Sequence, residues 1–256
     1  MQIYRSDEST KKIRKGNICQ ITKSKWKKNN VTVQIQSAPP SYIKLEANEK
    51  FVYITSTMNG LSYQIAAIVS YPEKRNSSTA NKEDGKLLCK ENKLALLLHG
   101  SQSHKNAIYQ TLLAKRLAEF GYWVLRIDFR GQGDSSDNCD PGLGRTLAQD
   151  LEDLSTVYQT VSDRSLRVQL YKTSTISLDV VVAHSRGSLA MFKFCLKLHA
   201  AGSPLPSHLI NCAGRYDGRG LIERCTRLHP TLASRRWVLG EWSTKWRIQR
   251  LLDTIK

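Results

Sequence analysis

The stretch VVVAHSRGSLA, residues 180–190, sets four apolar residues before a small polar cluster and then turns apolar again. Consecutive valines bounded by such a cluster read as a buried strand, and Leu189 to Leu198 carries helical spacing. Ser185 therefore stands at a sharp strand-to-helix turn. Two roles suit a serine there. One is the nucleophile of a GxSxG-type elbow, where small residues two before and two after the serine admit neighbouring backbone; the other is an ordinary helix-capping serine. Ala183 and Gly187 meet the size requirement, with Ala183 in the place of the commoner glycine.

Outward from this turn the chain alternates strands and helices. LALLL (94–98), YWVLRID (122–128), DVVVAH (179–184) and HLINCAG (208–214) read as strands, and Ala107 to Phe120, Thr146 to Val161 and Leu189 to Leu198 as helices. Short continuous apolar strands alternating with helices predict a parallel sheet covered on both faces. Ahead of it, VTVQIQS (31–37) alternates as a half-buried strand, and FVYITSTMNGLSYQIAAIVSYP (51–72) reads as two strands joined around Asn59-Gly60, an antiparallel hairpin.

In a parallel sheet the functional edge lies beyond the carboxyl ends of the strands. Three such ends carry unusual residues: HGSQSH after LALLL, FRGQGDSS after YWVLRID, and HSRGS after VVVA. An elbow serine needs two backbone N–H donors for a tetrahedral oxyanion, one just after the nucleophile and one from the upstream strand end. The His99-Gly100 pair at that upstream end assigns them to Ser101 and Arg186.

The set LLLHGS, LRIDFRGQGDSS and VVAHSRGSLA, in this order and at these intervals, resembles the α/β-hydrolase superfamily, and in particular its serine aminopeptidase-like branch of lipases, esterases and peptidases. LINCAGRYDGRG is similar to a segment after the sixth strand in that branch, and the resemblance covers about residues 50–225. It implies an α/β-hydrolase fold, a mostly parallel sheet with an antiparallel N-terminal hairpin, here lacking the last strands. Position by position, Ser185 matches the nucleophile, and Ser101 and Arg186 the oxyanion donors. His99 and His184 match structural positions; Asp128, Arg130, Gly131 and Gly133 match a turn expected to be fixed by glycines and an Asp–Arg pair. The implied activity is cleavage of an ester, thioester or amide by acyl transfer, on a small-molecule or peptide substrate, with no cofactor and no metal.

A serine hydroxyl needs a histidine base held by a carboxylate, in this fold after the serine in chain order. The resemblance places the acid after the seventh strand and the histidine after the eighth, and no HGxxD strand end or terminal DH loop follows Ala213. Asp217 is the candidate acid, its alternative being a loop aspartate paired with a neighbouring arginine. His199 ends a helix, His208 begins a strand at the far edge, and His229 precedes Pro230 in a segment that could form a lid; no complete triad can be assigned. A C-terminally truncated chain, or a noncatalytic binding module of the same fold, is therefore the standing alternative.

The remaining sequence bounds the setting. With 256 residues, 40% hydrophobic and 24% charged, the chain suits one large α/β domain. Three regions are expected: a basic flexible arm (1–30), the hydrolase core (31–225, with a polar surface loop at 73–93), and basic amphipathic C-terminal helices (226–256). A net charge of +17, gathered largely near both ends, reads first as a solvated basic tail and solvated helix faces, with a weak anionic partner there as the alternative; no nucleic-acid motif accompanies it. No apolar run approaches the roughly 18 residues of a membrane span, no apolar leader opens the chain, and the six scattered cysteines read as reduced thiols, so a cytoplasmic location is expected. RGQGDS imitates a dinucleotide turn, but Asp140-Pro141-Gly142 follows where the helix should begin; no Walker A sequence or metal-ligand spacing is present.

Overall fold

The computed structural model describes residues 30–58, 60–73, 92–107, 109–137 and 145–214. Alternation turns Val31 and Val33 inward along strand β1 (Asn30–Ile35), which pairs antiparallel with β2 (Glu49–Met58). Strand β2 pairs in turn with β3 (Leu61–Ser70). Their register ends on Met58 opposite Leu61, leaving residues 59 and 60 for the connection, as the Asn59-Gly60 pair predicts. Gly60 takes φ +79°, while Asn59 lies outside the described residues.

The other strands are β4 (Lys93–Leu98), β5 (Trp123–Ile127), β6 (Ser177–His184) and β7 (His208–Cys212). They run parallel, and β3 joins them antiparallel through β5, giving the order β1-β2-β3-β5-β4-β6-β7. The period of two along β4 sorts its side chains. Ala95 and Leu97 face helix α1 (Gln110–Glu119) in one cluster; Leu94, Leu96 and Leu98 face α2 (Leu147–Ser162), α3 (Arg164–Tyr171) and α4 (Arg186–Ala200) in the other. Both faces are thus covered, which explains why β4 and β6 are near-continuous apolar runs.

From β4 the chain steps to β5, then doubles back past β4 to β6. This reversal makes β4 and β6 neighbours, with Leu98 opposite Ala183. The two loops leaving these strands, one opening with His99 and the other with Ser185, start side by side at a topological switch point.

Boundaries differ from the sequence reading in several places, among them α4, which begins at Arg186 rather than Leu189, and β6, which begins at Ser177 rather than Asp179. Helix α1 begins at Gln110 rather than Ala107, because Lys105 is buried and the chain closes a turn from His104 to Ala107 first. Helix α3, eight residues long, is unannounced by periodicity; it starts where the Asp163 carboxylate accepts the N–H groups of Ser165 and Leu166. Of the two charged residues in YWVLRID, Arg126 is buried and paired with Glu49 of β2 at 2.7 Å. The expected N-terminal arm, most of the polar loop at 73–93, Asp217, His229 and the C-terminal helices lie outside the described residues. Among the described residues β1 and β7 are the edge strands.

Candidate active site

Ser185 adopts φ 49° and ψ −116°, a strained conformation for a residue bearing a side chain. Among the described residues four non-glycine positions have positive φ, and three of them, Gln102, Ser185 and Ala213, follow β4, β6 and β7 at one edge of the sheet. Strain is therefore concentrated at the carboxyl ends of the strands. The elbow is held by its backbone: the Ser185 N–H donates to the Cys212 carbonyl at 3.0 Å, and the Ser185 carbonyl accepts the Ser188 N–H at 3.1 Å.

Two glycines make the turn possible. A Cβ on Gly187 would stand 2.6 Å from the His99 carbonyl oxygen, and one on Gly100 would stand 3.1 Å from Ser185 Cβ. The small residue demanded after the serine thus admits the neighbouring loop. Ser188, not Ser185, does the local hydrogen bonding, its hydroxyl donating to the Ala183 carbonyl at 2.8 Å. The Ser185 side chain makes no capping bond to α4, and its hydroxyl has no hydrogen-bond partner among the described residues. It stands, partly exposed, at the N-terminus of a 15-residue helix, where partial positive charge favours an anion.

The loop after β4 is pinned on the other side. His99 is fully buried; its Nε2 accepts the Phe129 N–H at 2.9 Å, so Nδ1 carries the proton and donates to the Gly100 carbonyl at 2.7 Å. Burial, aided by the charge of Arg145, lowers its pKa to about 4, so the ring is neutral. Ser101, next in the loop, is exposed. The Arg186 N–H belongs to the first turn of α4, whose donors have no intrahelical acceptor.

Three buried carboxylates brace the surroundings. Asp150 in α2 accepts Arg145 Nε at 2.6 Å and Arg186 Nε at 2.9 Å. Burial pushes the Asp150 carboxyl up, yet the two guanidiniums outweigh this and hold it below the ordinary range. Asp153 accepts the Arg130 backbone N–H at 2.8 Å and its guanidinium at 2.7 Å, with that guanidinium stacked on Tyr63, 3.7 Å from the ring centre. Asp128 accepts both the backbone N–H and the ammonium of Lys105, each at 2.5 Å, and the Asp134 N–H at 2.9 Å. The Asp–Arg pair expected inside the DFRGQGDS turn is therefore corrected. Asp128 takes Lys105 as its cation, while Arg130 reaches out to α2, because the positive φ of Gly131 and Gly133 curls the turn back over Asp128.

The five described histidines are all placed. His199 is exposed near the C-terminal end of α4, and His208 begins β7, the end of that strand opposite to Ser185. His104 is exposed and accepts the Asn106 N–H through Nδ1. His184 packs edge-on to Tyr109, with its Nδ1 buried and unpartnered. Burial, with the neighbouring Cys212 thiol, raises the pKa of Tyr109. Among the described residues no group of three His, Cys, Asp or Glu could hold a metal, and no helix is long and apolar enough to cross a membrane.

Residues 90–254 match the family described as serine aminopeptidase, S33. The chain belongs to that family. It is thereby a member of the α/β-hydrolase superfamily, as the three motifs imply. An uncharacterized protein of Saccharomyces cerevisiae is 98% identical over 203 residues, which make up 79% of this chain and 62% of the relative. The chain thus spans under two thirds of that protein's length. Among solved structures, a protein of Agrobacterium vitis assigned as a hydrolase is 15% identical with a TM-score of 0.48, covering 73% of this chain and 59% of that one. An acetyl xylan esterase of Paenibacillus is 14% identical with a TM-score of 0.46, covering 90% and 69%.

For a chain of this family, sequence reasoning singled out Ser185, Ser101 and Arg186, and the fold brings their loops together at the β4–β6 edge. It missed Asp150, Arg145 and Lys105. The available signal was slight: Thr146 and Gln149 form a capping box that marks the start of α2, and Asp150 lies in its first turn.

Proposed function

We propose that the chain is a serine hydrolase that cleaves an ester, thioester or amide through Ser185, with the backbone N–H groups of Ser101 and Arg186 as the oxyanion hole. The observation that carries this is the Ser185 conformation: φ 49° and ψ −116°, at a helix N-terminus, with a hydroxyl engaged by nothing among the described residues. A serine kept only to cap the helix would use that hydroxyl, and strain of about 1–3 kcal/mol persists where surrounding structure and function require it.

In the acyl step the Ser185 oxygen bonds the carbonyl carbon while the carbonyl electron pair moves onto oxygen, to be met by the two N–H groups. Collapse expels the alcohol, thiol or amine, which takes up the proton lost by the serine; water then releases the acid by the same path. The base for this transfer is a histidine other than the structural His99, and Asp217 is the candidate acid.

Fluorophosphonate labelling of the full chain tests the proposal. Wild-type protein is expected to label, and Ser185→Ala to lower labelling by at least about 1,000-fold while remaining folded by circular dichroism. Folded wild-type protein that takes no label would sink the hydrolase assignment. It would favour the noncatalytic alternative, for which salt-sensitive binding of RNA or anionic vesicles, indifferent to Ser185→Ala, is the signature.

A further inference from the structure

We infer that Asp150 is a positioning residue for the oxyanion hole, acting through the Arg186 guanidinium to fix the backbone N–H of Arg186. The inference rests on the proposed role of Ser185. Arg186 directly follows the strained elbow and opens α4. Its N–H has no acceptor inside the helix, and its direction is set by a planar peptide whose other end, the Ser185 carbonyl, is held by the Ser188 N–H at 3.1 Å, a single bond beside a strained residue. An oxyanion donor must nevertheless be aimed before reaction, because its value lies in needing no reorganisation as charge develops.

The Arg186 side chain adds a second hold on this residue. It is 8% exposed; Nε meets Asp150 Oδ2 at 2.9 Å, and Nη2 donates to the Arg145 carbonyl at 2.9 Å. The planar fork thus grips two acceptors in different residues, a geometry a lysine cannot copy. The far side of the clamp is rigid. Asp150 is fully buried, its other oxygen is held by Arg145 at 2.6 Å, and its own N–H donates to the Thr146 carbonyl in the capped first turn of α2. Two helix N-termini, from two successive crossovers, are in this way tied together beside the elbow.

Saturation kinetics with a fluorophosphonate on the full chain separate positioning from binding: phosphorus bonds the Ser185 oxygen, the serine proton and fluoride leave as HF, and the phosphoryl oxygen, negatively charged in the pentacoordinate transition state, occupies the oxyanion hole. Arg186→Met keeps the side-chain stem and leaves the Asp150–Arg145 pair one to one. Its maximal labelling rate is expected to fall by about 10–100-fold, with the half-saturating probe concentration within about twofold of wild type. Arg186→Lys should recover only part of the rate, and Asp150→Asn combined with Arg186→Met should add little to either alone. If Asp150→Asn fails to fold, the two Arg186 variants decide. A wild-type rate in folded Arg186→Met overturns this inference while leaving the role of Ser185 intact, as does a rise confined to the half-saturating concentration. Folded wild-type protein without label overturns both.

Discussion

Two serine-bearing turns leave the same edge of the sheet, and they use their hydroxyls in opposite ways. In the turn after β5 every serine is consumed by backbone: Ser135 accepts the Ala66 N–H at 2.8 Å and donates to the Asp128 carbonyl at 2.7 Å, and Ser136 accepts the Gln64 N–H at 2.8 Å. Together these bonds carry the pairing with β3 beyond the end of β5. In the turn after β6 the local bonding falls to Ser188, and Ser185 is left with a strained backbone and a hydroxyl unengaged among the described residues. One turn converts polar groups into stability, and the other holds one in reserve at a cost. A serine at a strand end is thus assigned by what its hydroxyl touches.

The contrast can be broken at its tightest point. Gly133 has φ +54°, and a Cβ there would overlap the Asp128 carboxylate, which Lys105 and the Asp134 N–H hold in place. Gly133→Ala is expected to cost at least about 3 kcal/mol in urea unfolding, from positive φ and overlap together. A cost below about 1 kcal/mol would show that the β5 turn is not the rigid one.

His99 connects the two turns, accepting the Phe129 N–H from one and lying against Gly187 in the other. Its folded pKa of about 4 lies below the ordinary value of 6.5, so its contribution is present above pH 6.5 and is lost as pH falls through 4. The full loss is about 3 kcal/mol. Urea unfolding from pH 7 to pH 4 should therefore weaken wild type more steeply than His99→Gln by about this amount, and parallel slopes would show that the ring protonates without cost in the fold.

Alanine substitutions give the smallest effects and the sharpest contrast. Ser135→Ala strands the Ala66 N–H and is expected to cost about 1–3 kcal/mol. Ser185→Ala removes no hydrogen bond among the described residues and should stay within about 0.5 kcal/mol of wild type. Equal costs at the two positions would mean that Ser185 is as structural as Ser135.

Much of this was legible in the chain itself. Period-two and continuous apolar runs announced all seven described strands, and Asn59-Gly60 announced the hairpin. The elbow was legible because its requirement is local: small residues on either side of a serine at a strand end. Helix α3 was not, since eight residues carry too few turns for a periodic signal and its start depends on the Asp163 cap. The partner of Asp128 was misread because Arg130 is near in sequence, whereas Lys105 arrives from the preceding crossover, 23 residues away.

The sequence by itself determined which residues stand at the strand ends and which turns can form there, because backbone conformation and burial period are properties of neighbouring residues. Only the tertiary structure decided which serine keeps a hydroxyl unengaged among the described residues, which carboxylate meets Lys105, and that Arg186 is gripped by Asp150 from 36 residues upstream. Those outcomes depend on which crossovers meet at the β4–β6 edge, and a charged side chain buried there must take whichever partner the packing delivers.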